Sequence, residues 1–159
     1  MLAIPRHILD ELIAHARALV PHECCGLLAG KDGRVTHHYK ITNIVASQDA
    51  GVQEMFDQAK VAHLERLSPE ERADIAFWMD PKDMFAAQKD MRAQGTDMLA
   101  SYHSHPVSPA RPSPTDIKAL ASYPDLVHLI VSLQDATKPA INAFRIADDS
   151  ATPVAYEVA

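Results

Sequence analysis

At 159 residues and 17.4 kDa the chain has the length of one domain, and 47% hydrophobic residues suffice for a buried core, which excludes disorder and a disulfide-dependent mini-protein. With 15 basic residues against 21 acidic ones the formal charge is -6, which argues against a nucleic-acid binder. Arg6, His7, Asp10 and Glu11 interrupt the run that a secretory signal would need, no stretch nears the roughly 20 apolar residues of a membrane span, and the adjacent Cys24 and Cys25 cannot staple distant segments. The expectation is a cytoplasmic protein with neither a nucleic-acid nor a membrane partner.

A helix is predicted from Pro5 to Val20, because Ile8, Leu9, Leu12, Ile13, Ala16 and Leu19 fall on one face; Pro21 stops it. Cys24 to Gly30 and Arg34 to Tyr39 are strands joined at Lys31-Asp32-Gly33, whose Asp-Gly pair is a hairpin signature. Ile41 to Ala46 extends the second strand or adds another. From Val52 to about Arg66 the pattern is helical, with Met55, Phe56, Ala59, Ala62, His63 and Leu67 at helical intervals, and Ser68-Pro69-Glu70-Glu71 is a fresh helix start. Phe77 to Met79 is a candidate short strand. Asp80-Pro81-Lys82-Asp83 opens a helix that Gly95 caps.

Met98 to Tyr102 is a short buried strand that delivers the chain to His103, and the proline-rich stretch from Ser104 to Pro112 is a stiff loop. Ser113-Pro114-Thr115-Asp116 then opens a helix to about Ser122. Leu126 to Leu133 and Ala140 to Ile146 are strands, and Val154 to Val158 is a last edge strand. The sum is a single α/β domain over residues 1–159, with a central mixed sheet flanked by helices.

His103 and His105 are two apart, so on a strand both side chains emerge on one face and one metal ion can take both. A catalytic zinc site needs a third protein ligand, and Asp116, presented on the first turn of a helix after the stiff loop, is the candidate. Taken alone, Ser113-x-x-Asp116 is also an ordinary helix cap, and a lone histidine pair is more often surface polarity. From this chain's own residue frequencies, a His-x-His-x7-Ser-x2-Asp string is expected about 0.002 times by chance, which favours the metal reading.

These residues carry a resemblance. His103-Ser104-His105-Pro106, followed by Ser113-x-x-Asp116 and preceded by the glutamate of Pro21-His22-Glu23-Cys24-Cys25-Gly26-Leu27-Leu28-Ala29-Gly30, resembles the JAMM (MPN+) metalloprotease motif. The likeness to the short bacterial members extends to the N-terminal helix, to Met79-Asp80-Pro81 and to the closing strands, and implies a cytidine-deaminase-like mixed sheet. The stretch from about Gly51 to Ile75 departs from the compact pattern and is expected to be a helical insertion; its apolar stripe of Met55, Phe56, Ala59, Ala62 and Leu67 is open to packing on its own domain, to burial in a homodimer or to lying across the cleft as a lid, the homodimer being the favoured functional reading.

The resemblance implies His103, His105 and Asp116 as zinc ligands, Glu23 as the base that handles the water's proton, and Ser113 as a hydroxyl donor to the oxyanion. Without it, nothing in the residues selects Glu23 over Glu11 or Glu54, and Glu23 reads as a strand-end surface carboxylate. Cys24 and Cys25 read as small buried packing, and His37-His38 as solvated or rim residues. The function implied is a zinc-dependent peptidase cutting after the C-terminal Gly-Gly of a ubiquitin-like protein, a sulfur carrier first, its tail bound by strand addition. The rivals are a protease acting on isopeptide-linked conjugates and a catalytically silent scaffold.

Overall fold

A computed structural model describes residues 1–46 and 77–159. In chain order the elements are β1 (Leu2–Ile4), α1 (Arg6–Leu19), β2 (Cys25–Lys31), β3 (Arg34–Ile41), a 3-10 turn (Ile44–Ala46), α2 (Pro81–Gln94), β4 (Asp97–His105), α3 (Pro114–Leu120), β5 (Val127–Ser132), β6 (Ala140–Ala147), β7 (Ser150–Val154) and β8 (Tyr156–Val158). The strands form one sheet in the order β7-β6-β5-β4-β2-β3-β1-β8. Strand β4 runs parallel to β5, and β1 parallel to β3 and β8; the other pairs are antiparallel, so the sheet is mixed, as expected.

Two apolar layers sandwich this sheet. On one face Ile8, Leu9, Leu12 and Ala16 of α1 pack on Leu28, Ala100, Tyr102, Leu129 and Val131. On the other, Ala87 and Met91 of α2 and Leu120 of α3 pack with Cys25, Leu27, Ala29, Ile130 and Ile146. The two sets come from alternate residues of the same strands, the period-two rule that lets one strand serve two layers. Both cysteines are fully buried, as read from the sequence.

The punctuation residues act where the sequence places them. Asp32 and Gly33 both have positive φ, 50° and 77°, which a tight hairpin turn demands. Asp80 caps α2 by accepting the Lys82 amide at 2.9 Å, and Gly95 ends that helix at φ 69°.

Four expectations are corrected. Of Ile41 to Ala46 only Ile41 extends β3 and no further strand forms: the chain then enters the 3-10 turn, and Asn43 makes an isolated antiparallel bridge to Met79, to which the expected strand at Phe77 to Met79 is reduced. Strand β4 runs on to His105, because β2 pairs with it as far as His103 and β5 as far as His105. The three-residue β1 is too short for periodicity to reveal. Val154 to Val158 is not one strand: Ala155 breaks it, β7 pairs with β6 at one sheet edge, and β8 pairs with β1 at the other. Edges separated by a single residue must lie close together, so the sheet curls around α1. Tyr156 fastens the closure by donating its hydroxyl to the Ile141 carbonyl at 2.9 Å. The helices expected between Val52 and Ile75 lie outside the described residues.

Candidate metal centre

Strand β4 sorts its residues by parity. Ala100, Tyr102 and Ser104 face the α1 layer, whereas Ser101, His103 and His105 face α2 and α3. Ser104, between the two histidines, therefore points away from them; its Oγ accepts the Cys24 amide at 2.8 Å, and its own amide donates to the Cys24 carbonyl at 3.0 Å. That pair of bonds ties the start of β2, beside Glu23, to the histidine strand.

The Asp116 carboxylate arrives from α3 by a capping box. Ser113 Oγ accepts the Asp116 amide at 3.1 Å, and the Ser113 amide donates to Asp116 Oδ2 at 2.9 Å. Asp116 is 6% exposed, His105 6% and His103 fully buried. His103 Nε2, His105 Nε2 and Asp116 Oδ2 form a near-equilateral triangle with sides of 3.2, 3.1 and 3.1 Å. Ligand atoms of a tetrahedral ion held at about 2.0–2.1 Å lie roughly 3.3 Å from one another, so the triangle has the dimensions of one face of such a site.

Proton bookkeeping points the same way. His105 Nδ1 donates to the Pro109 carbonyl at 2.9 Å, so a neutral His105 presents a bare Nε2 lone pair to Asp116 Oδ2. Two lone pairs at 3.1 Å need a cation between them, either a proton or a metal ion. Burial pulls the His105 pKa down, but the hydrogen bond and charge of Asp116 and the Pro109 carbonyl outweigh it, and the net shift is upward. For Asp116 burial works to raise the pKa, and the two histidines overcome it, holding the carboxyl far below the usual carboxylate range. The cluster is thus organised around shared positive charge, and a two-nitrogen, one-oxygen set is one that zinc accepts.

Glu23 completes the group. It is 5% exposed rather than a surface carboxylate, and its carboxylate lies within 4.8 Å of ligand-capable nitrogens of both His103 and His105. Its backbone is held by Asn43, whose Nδ2 donates to the Glu23 carbonyl at 3.0 Å while its Oδ1 accepts the amides of Val45 at 3.1 Å and Trp78 at 3.0 Å. All five residues expected at the site are therefore brought to one place.

The profile of prokaryotic homologs of the JAB domain matches residues 5–147. The chain belongs to this family. Among its relatives, a CysO-cysteine peptidase of Mycobacterium tuberculosis is 28% identical over 154 residues, covering 96% of this chain and 87% of the relative. A desampylase of Haloferax volcanii is 31% identical over 129 residues, covering 77% of this chain and 74% of that one. A solution structure of a protein from Desulfitobacterium hafniense superposes with a TM-score of 0.75 at 33% identity, covering 100% of this chain and 93% of that one. By this kinship the chain is a hydrolytic enzyme of the JAB family, which sets aside the silent-scaffold reading.

His38 is not a solvated rim residue. Its side chain is 5% exposed, with Nδ1 3.0 Å from Glu11 and Nε2 2.7 Å from the Tyr102 hydroxyl, which His15 Nδ1 also meets at 2.6 Å. This polar chain lies on the α1 side of the sheet, opposite the triangle, and binds α1 to β3 and β4. The sequence reading also missed Asn43 and Phe77. A polar residue just after a strand was the only available signal for Asn43, and nothing local marked Phe77. Phe77 lines an apolar cavity of about 420 Å³ with Leu27, Met84, Met98 and Leu120, at whose polar end Ser101 Oγ meets His128 Nδ1 at 2.7 Å.

Proposed function

We propose that the chain is a zinc-dependent peptidase that hydrolyses the amide bond after the C-terminal Gly-Gly of a ubiquitin-like protein, a sulfur carrier in the first instance. The observation that carries this reading is the buried triangle of His103, His105 and Asp116 with Glu23 beside it. Zinc held by the three ligands supplies Lewis acidity, lowering the pKa of water toward neutrality and polarising a carbonyl. Glu23 accepts the attacking water's proton and returns it to the leaving amine. Ser113 keeps its hydroxyl proton after its oxygen has accepted the Asp116 amide, and it donates that proton in a hydrogen bond to the oxygen on which charge accumulates.

Choice of substrate is supported by the relatives. One is named a CysO-cysteine peptidase and the other a desampylase, and the first matches nearly the whole chain. The higher identity to the desampylase supports a second reading, in which the scissile bond is an isopeptide to a lysine of a conjugated protein. Intact-mass analysis separates them. The zinc-loaded enzyme is incubated with a ubiquitin-fold protein carrying one residue after Gly-Gly, and with the same protein linked through Gly-Gly to a lysine side chain. Loss of the single residue at the higher kcat/KM supports the first reading, faster cleavage of the conjugate supports the second, and no cleavage of either overturns both. The expected homodimer through residues 51–75 is tested by light scattering before and after deletion of residues 52–74; an unchanged number of subunits per particle excludes it.

A further inference from the structure

Two features of His103 stand outside this mechanism. Its Nδ1 is buried and has no hydrogen-bond partner among the described residues. The ring of Phe77 lies flat against its imidazole, with centroids 4.4 Å apart and planes inclined by 21°. Metal-binding histidines are ordinarily oriented by an acceptor at the far nitrogen, as Pro109 orients His105. His103 has a ring face in place of that acceptor.

Among the described residues, nothing beside it in the sheet supplies a polar tether. In register His103 stands between Cys25 of β2 and Ile130 of β5, both fully buried, and the Cys25 thiol donates to the Ile41 carbonyl. An imidazole without a tether can turn about its Cβ–Cγ bond, and a half-turn exchanges Nε2 for a carbon at the corner of the triangle. A nearly parallel ring at 4.4 Å obstructs that turn, because the edge of the turning imidazole would run into it.

We propose that Phe77 is a positioning residue for His103: its ring face, in place of a hydrogen bond, holds Nε2 toward His105 and Asp116. The inference rests on the reading of those three residues as zinc ligands. Phe77 is itself well anchored. It is 9% exposed and packs in the α2-side core, and the next residue, Trp78, gives its amide to Asn43 Oδ1 at 3.0 Å and its carbonyl to the Ile44 amide at 2.9 Å. The hub that fixes the Glu23 backbone thus also fixes the residue that orients His103.

The test is zinc affinity, measured by competition with a chromophoric chelator at fixed pH, for wild type, Phe77→Ala, Phe77→Leu, Phe77→Tyr and His103→Ala. Partners that orient a ligand are worth about 10- to 100-fold in metal affinity, so Phe77→Ala is expected to weaken binding by about 10-fold or more. Phe77→Leu, which fills space without a flat face, is expected to weaken it nearly as much, and Phe77→Tyr to stay within about 3-fold of wild type. Wild-type affinity in Phe77→Ala or Phe77→Leu overturns the proposal, as does a loss in Phe77→Tyr equal to that in Phe77→Leu. If Phe77→Ala does not fold, the Leu and Tyr pair decides. His103→Ala should lose most of the zinc affinity. If it does not, the ligand reading fails, an outcome distinct from one in which His103→Ala loses zinc and Phe77→Leu does not.

Discussion

His105 donates its Nδ1 proton to the carbonyl of Pro109 across 2.9 Å, so the loop leaving β4 fixes the ring that the strand has just delivered. Proline locks φ and thereby holds that carbonyl where the ring needs it. Pro109→Gly keeps the carbonyl and frees the backbone. Zinc affinity is expected to fall by roughly 10-fold with the fold intact, as measured by chelator competition. An unchanged affinity would mean that loop stiffness does not set the ligand.

Glu23→Gln keeps the side chain's size and hydrogen-bonding reach but removes the base. The variant should bind zinc stoichiometrically and lose about 100-fold or more in kcat. Near wild-type turnover would remove Glu23 from the mechanism.

Ser113 caps α3 and offers a hydroxyl, and two substitutions separate these roles. Ser113→Ala loses both, with about 1 kcal/mol of stability and a reduced rate. Ser113→Asp restores a cap acceptor but has no proton to donate, so it should recover thermal stability without recovering rate. Recovery of both would show that the serine acts only as a cap.

The site's residue types were legible in the sequence because their spacing is set by local rules: alternate strand positions for His103 and His105, and a capped first turn for Asp116. Burial of Glu23 was not legible. It depends on the register of β2 against β4 and on Asn43, contacts between residues far apart in the chain. His38 was misjudged for the same reason: strand alternation says which face a side chain takes, but not that α1 covers that face and brings Glu11 and His15 to it. The split of Val154 to Val158 escaped because a one-residue break leaves no gap in an apolar pattern, and only curling of the sheet reveals it.

Among the described residues burial disfavours the charged form of His15, His38 and His128, most strongly at His15 and His128. Burial foremost, then the charges of His38 and Lys40, push His15 down to about 4. Burial also pushes His128 down to about 4, the Tyr123 carbonyl opposing and His103 and Arg145 adding to it. Since the unfolded chain binds these protons near pH 6.5, their stabilising contribution is complete above that pH and is lost as pH falls toward 4. In excess chelator, urea midpoints should decline over this window, and His128→Gln should decline less steeply than wild type. Equal slopes would contradict the assignment.

On the proposed reading, one zinc held by His103, His105 and Asp116 makes this chain a peptidase. The most direct measurement is a titration of zinc into metal-stripped enzyme while cleavage of a ubiquitin-fold protein carrying one residue after Gly-Gly is followed by mass. The expected result is no cleavage without metal, a linear rise that breaks at one equivalent of zinc per chain, and neither rise nor bound zinc in a His103→Ala, Asp116→Ala double variant. Full cleavage by the stripped enzyme, or equal zinc occupancy in the double variant, would contradict it.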